Sequence, residues 1–310
     1  MAQIILQQIL TMALYMLCGY LLYKTGKITD EGSRSIANLL PWVVIPSTLI
    51  NSFLVEYSAE KMKNLLIAFA LAGATLLISV IISRLIFRNS GVECFGVSFS
   101  NAGFIGIPLV QSAVGDEGVF YLSGILIIMN LLQWTYGIPL LRKDSKERAK
   151  SDSGQSLKSV LLSPIVLCAA AGVIIFVTGM GPRLPKVLTT FIGGLTQLNA
   201  PLGMVVLGIY LGRIRLMDIF TTKRLYLLSA VRLLLIPVVT VLAFAFLPVP
   251  YPIKMTMVIA GAAPVGVNVA VYAQLYDADY EYACQAVTQS TILSIAVMPV
   301  IIWMAEQLMR

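Results

Sequence analysis

The sequence predicts an all-α membrane protein: ten transmembrane helices in two inverted five-helix repeats, with the fourth and ninth helices broken and crossing. Three observations predict it. Apolar residues make up 58% of the 310 residues and charged ones 12%, with a mean hydropathy of +0.87. Soluble domains run about 45–50% apolar and about 25% charged, so this excess needs lipid as solvent. The apolar residues fall into ten runs of spanning length, roughly 20 residues each. The basic residues lie at the ends of those runs and sort to one side, which is how orientation is written into a membrane protein.

The runs cover 4–23, 34–54, 64–84, 92–112, 119–141, 159–180, 187–212, 225–247, 253–276 and 284–304. The first has no basic residue before Lys24 and is read as a permanent span, not a cleaved leader. The polar stretch 142–158, RKDSKERAKSDSGQSLK, separates a first repeat, 1–141, from a second, 159–310, and reads as a loop. Lys and Arg number fifteen in one set of loops and six in the other, Arg232 apart. The richer set, which includes 142–158, is therefore cytoplasmic and both termini are external. The localisation expected is a multi-pass protein of the cell (inner) membrane. Five spans per half make the second half enter the membrane upside down. Three echoes support such a repeat: Pro46 with Pro201, Pro139 with Pro299, and Asp116-Glu117 with Asp277 and Asp279. Inverted repeats are characteristic of secondary transporters.

The fourth run, FGVSFSNAGFIGIPLVQSAVG, is interrupted by Asn101, Gly103, Gly106 and Pro108. The ninth, VIAGAAPVGVNVAVYAQLYD, is interrupted by Gly261, Pro264, Gly266 and Asn268. Proline removes a donor and clashes with the preceding turn, and glycine lets another backbone approach. Broken helices at matching places of two halves point to a transport site. Half-helix N-termini there aim partial positive charge at the crossing, which suits an anion, with Asn101 and Asn268 adding neutral hydrogen bonds. Pro46 and Pro201 are expected hinge or helix-break positions. Arg232 is the one charge well inside a span, away from its ends, and is taken as a further contact for an anionic substrate, with snorkelling to the interface as the competing reading. Carboxylates lie in loops or at helix ends, Glu93 at the edge of span 4. A proton relay of the Asp/Glu type thus lacks support; the coupling ion, H+ or Na+, stays open, and no other cofactor is expected.

The fourth and ninth runs also carry a resemblance. NAGFIGIPLVQSAVG from Asn101, RLLLIP from Arg232, APVGVNVAVYAQLYDAD from Ala263 and TQSTILSIAVMP from Thr288 resemble the auxin efflux carrier family, which includes bacterial malate and malonate permeases. The opening GYLLYKTGKITDEGSRSIANLLPWVVIPSTLINSF fits the family's start, so the likeness covers the whole chain. Ser163-Pro164 departs from the Asn-Pro expected at the start of span 6. The resemblance implies a fold similar to bile-acid symporters and sodium/proton antiporters, carboxylate transport by an elevator-like motion, and a place for Asn101 beside the substrate carboxylate. The long cytoplasmic loop of many plant members is absent, which argues against auxin itself.

The function expected is thus a secondary transporter of a small organic anion working by alternating access. A sodium-coupled symporter of a larger amphipathic anion is the alternative within the class. A membrane-embedded enzyme using Asp277, Asp279 and Glu281 with a metal has no histidine and no nucleophile–base pair behind it, and a signalling protein would need an output domain. The partners expected are the anion and the bilayer, not nucleic acid despite the +7 net charge; a homodimer is left open. Cys18, Cys94, Cys168 and Cys284 form no CxxC pair and read as core thiols.

Overall fold

The computed structural model describes residues 2–144, 164–213 and 216–309. Among them are helices and no strand. They are α1 (Ala2–Lys24), α2 (residues 30–52), α3 (Ala59–Phe87), α4 (Gly91–Ser98), α5 (Ala102–Ala113), α6 (Asp116–Asp144), α7 (Pro164–Val177), α8 (Lys186–Arg213), α9 (Leu216–Thr221), α10 (Lys223–Ala245), α11 (Tyr251–Ala262), α12 (Asn268–Leu275) and α13 (Tyr280–Met309). Among the described residues, six helices are long and apolar enough to cross a membrane: most of α1, then α3, α6, α8, α10 and α13. Of the predicted runs, the fourth is split between α4 and α5 and the ninth between α11 and α12. The loop predicted from residue 142 starts later, because α6 continues through Arg142 and Lys143 to Asp144, whose carboxylate accepts from Gly91 N and Val92 N and so caps α4. Residues 145–158 of that loop, and Ser163, lie outside the described residues.

Local chemistry sets the helix ends. Gly26, at φ +71°, turns the chain after α1. The hydroxyls of Thr29, Ser58 and Ser90 accept from Gly32 N, Lys61 N and Glu93 N at the starts of α2, α3 and α4. Within the spans a recurrent device handles proline. Five-residue π turns at Leu40–Val44, Ala102–Gly106, Gln133–Gly137 and Val231–Leu235 each run directly into an Ile-Pro pair, at Pro46, Pro108, Pro139 and Pro237. A proline ring collides with the carbonyl four residues back. Widening the preceding turn by one residue relieves that clash, so these helices bend without stopping. Pro46 therefore sits in a continuous widened helix, whereas near Pro201 the helix is interrupted at Leu198.

The helices pack as two groups, or bodies, that also touch each other, α1 against α5 and α13 and α2 against α6. In one, α1 lies along α8 and α2 packs on α7 and α8. In the other, α3, α4 and α6 pack with α10, α11, α12 and α13. The α1–α8 contact is backbone-close: a Cβ on Gly19 would strike Val205 O, and one on Gly208 would strike Met16 O. Small residues permit such approach where lipid offers no hydrophobic drive.

Candidate functional site

The two interrupted runs meet. After α4 the backbone is extended at Phe99, and after α11 it is extended at Ala263. Ser100 and Val265 form an antiparallel bridge, with Asn101 N donating to Pro264 O at 2.8 Å and Gly266 N to Phe99 O at 3.0 Å. Val265 N donates to Ser290 Oγ at 3.1 Å. Each break thus satisfies backbone groups of the other, as broken helices at membrane depth require. Gly266 is needed for the approach, since a Cβ there would lie 3.0 Å from Ser100 O and 3.1 Å from Phe99 O.

A cavity of about 50 Å3 lies at this crossing, walled by Ser100, Asn101, Gly103, Gln133, Gly266 and Asn268 among others. The N-terminal ends of α5 and α12 border it, giving it partial positive charge. Two buried amide donors in its wall have no hydrogen-bond partner among the described residues: Asn101 Nδ2 and Gln133 Nε2. Their orientations are fixed by their oxygens. Asn101 Oδ1 accepts from Phe104 N at 3.3 Å, and Gln133 Oε1 accepts from Asn268 Nδ2 at 2.9 Å. Unpartnered buried donors are costly, and the group that satisfies both must be an acceptor.

The crossing cavity shares Ile45, Phe104, Asn130, Val267 and Asn268 with a larger cavity of about 620 Å3. Arg34 is the one charged residue among that cavity's lining. A second large cavity, of about 770 Å3, is lined by Asn51, Gln111, Asp116, Lys186 and Asn199. The two lie toward opposite ends of the same helices: 34–45 of α2 and Val206–Tyr210 of α8 line the first, and Thr48–Ser52 and Lys186–Ala200 line the second.

The structure distributes the residues singled out from sequence. Asn101, Gly103, Gly266 and Asn268 line the crossing cavity, while Pro264 serves through its carbonyl. Gly106 closes the π turn and packs toward Ala260, and Pro108 lines the 770 Å3 cavity instead. Arg232 lines none of the three cavities. It is 1% exposed and donates to Val97 O, Ala263 O and Gly261 O, so its guanidinium is held by carbonyls, not open to an incoming anion. It does not snorkel either. Asp279 Oδ1 accepts from Tyr282 N at 3.0 Å, which caps α13. Glu93 is buried, in a bidentate pair with Arg224 at 2.6 and 2.7 Å, and accepts from Tyr282 Oη at 2.8 Å. This pins α4 to α10 and α13.

Sequence reasoning missed Gln133, Asn130 and Asn199. Asn199 follows the interruption of α8, and its Nδ2 donates to Gly103 O at 2.8 Å, linking the two bodies at the crossing. The pair Asn130 and Gln133 was visible as two amides three residues apart in an apolar span, hence on one face.

A family model described as membrane transport protein matches residues 4–302. No curated protein matches the chain.

Proposed function

Because this chain belongs to the membrane transport protein family, that of the auxin efflux carriers, and is a multi-pass membrane transporter, we propose that its cargo is a small organic anion bound by its carboxylate at the crossing. One observation carries the reading: Asn101 Nδ2 and Gln133 Nε2, two buried donors without partners, share a cavity between two helix N-termini. A carboxylate offers two acceptor oxygens and a negative charge, which answers both features. The 50 Å3 space takes the carboxylate and the adjoining 620 Å3 takes the body of the molecule, within the usual size range of ligand pockets.

In this reading the chain spans the cell membrane ten times, with both termini external, 142–158 cytoplasmic, and 159–310 an inverted copy of 1–141. Each body draws on both halves: spans 1, 2, 6 and 7 (α1, α2, α7 and α8) form a scaffold, and spans 3–5 and 8–10 carry the crossing. The 620 Å3 cavity then opens on the cytoplasmic side, where Arg34 draws in anions. The 770 Å3 cavity is the opposite vestibule, and movement of the crossing past the scaffold exchanges access between them. Flux of a panel of mono- and dicarboxylates in proteoliposomes tests the proposal. Saturable transport of at least one is expected; transport of neutral amide analogues in place of every acid would overturn it.

A further inference from the structure

Two broken helices that cross leave four helix ends at the crossing. The N-terminal ends of α5 and α12 border the cavity. The C-terminal ends of α4 and α11 converge on Arg232, contributed by the π turn of a third helix, α10. Its Nη1 donates to Val97 O and its Nε to Ala263 O, both at 3.0 Å, and its Nη2 donates to Gly261 O. Val97 belongs to the last turn of α4, and Gly261 and Ala263 to the end of α11. A helix C-terminus carries about half a negative charge, so two of them balance one guanidinium. The fork geometry lets one side chain reach both helices at once. Carriers with broken helices commonly bind a cation from solution at such carbonyl ends; here those three carbonyls are occupied by the chain itself.

We propose that Arg232 is a positioning residue that takes the place of a coupling cation. It neutralises the C-terminal ends of α4 and α11 and fixes the two breaks against each other, so that the cavity sees only the N-terminal ends and the amides of Asn101 and Gln133. This rests on the reading of the chain as an anion carrier. Two consequences follow. Transport needs no alkali-metal gradient, and no metal cation's charge is added to that of the substrate in a cycle.

The test uses the full chain and its Arg232→Lys, Arg232→Met and Arg232→Ala variants in proteoliposomes, with Na+, K+ or choline as the bulk cation. Wild-type flux is expected to be the same in all three. Arg232→Met strands three carbonyls and is expected to lose roughly 100-fold in flux. Arg232→Lys keeps the charge but not the fork, and about a tenfold loss is expected. Arg232→Ala leaves room for a guanidinium ion; millimolar guanidinium should restore part of its flux and raise its melting temperature, with no such rise in the wild type. A wild-type requirement for Na+ or K+ overturns the proposal, as does wild-type flux in Arg232→Met or Arg232→Lys. Should Arg232→Ala fail to insert, the Met and Lys variants decide alone. If the wild type moves no carboxylate, the reading as an anion carrier fails, and the melting experiment decides this proposal separately: stabilisation by guanidinium confined to Arg232→Ala supports it, and its absence overturns it.

Discussion

Gln133→Glu is the sharpest perturbation of the crossing, because it changes chemistry at nearly constant shape. The carboxylate still offers an oxygen to Asn268 Nδ2, which the glutamine accepts at 2.9 Å, so the second-half break keeps its tie to α6. What changes is the unpartnered Nε2, which becomes a second acceptor carrying charge. Losing one donor to a charged ligand costs about 1.5–3 kcal/mol, or roughly 10- to 150-fold in affinity. A carboxylate facing the anion adds like-charge repulsion of about 4 kcal/mol at ~4 Å and an effective dielectric near 20. Together these put half-saturation beyond any practical concentration. Gln133→Leu removes the donor without adding charge, so the first, smaller loss is expected of it, plus whatever follows from stranding Asn268. The assay is the initial rate of labelled carboxylate uptake into proteoliposomes against concentration, with insertion and monodispersity checked for each variant. A Gln133→Glu protein whose KM stays within about threefold of the wild type would refute the reasoning, since a donor deletion alone exceeds that.

Other expectations concern separate features. Asn101→Asp retains an oxygen for Phe104 N and so keeps the cap on α5, yet it loses the free Nδ2; transport should collapse while the melting temperature holds, and an Asp variant with normal KM would remove Asn101 from the site. Gly266→Ala places a methyl 3.0 Å from Ser100 O and should cost about 1–3 kcal/mol by overpacking, seen as a melting temperature lower by several degrees in detergent; an unchanged one would mean the bridge is loose. Arg34→Gln should slow uptake at low ionic strength and matter less in high salt, and a salt-independent effect would deny it a steering role. Reporter fusions at Arg310 and Ser153 should report the external and cytoplasmic sides respectively, and a cytoplasmic signal from Arg310 would break the ten-span topology.

What was legible in the sequence is what is encoded locally. Apolar run length placed the seventh run at 187–212 against a helix of Lys186–Arg213, and the eighth at 225–247 against Lys223–Ala245. Proline and glycine located the breaks beside Asn101 and Pro264 because both act on their own backbone. The bridge between those breaks was not legible. Ser100 and Val265 are far apart in the chain, and only their packing explains how each break finds backbone partners in the other. Gln133 and Asn199 escaped for the same reason: their partners, Asn268 and Gly103, lie 135 and 96 residues away. Arg232 shows a different limit. Its depth was readable, but depth alone does not distinguish a ligand-facing cation from one facing helix ends, and its partners lie 29, 31 and 135 residues distant.

The placement of Arg232 bears on how an anion can be selected without a charge at the contact. A fixed arginine in the cavity wall would attract a carboxylate strongly, but it would also hold it, and a carrier must release its cargo on the far side. Partial charges at helix ends and neutral amides give a shallower well. Such a well fails if the opposite helix ends, equally strong and of the wrong sign, are left bare nearby. Arg232 removes those ends from the account by engaging Val97, Gly261 and Ala263. The Glu93–Arg224–Tyr282 cluster does related work at the start of α4, where the carboxylate suits the positive helix end and ties α4 to α10 and α13. Buried Arg232 and Glu93 are thereby spent on holding the half-helices in place. On the proposal of an anion carrier, what reaches the cavity is the residual field of their N-termini, which favours an anion without holding it by a full charge.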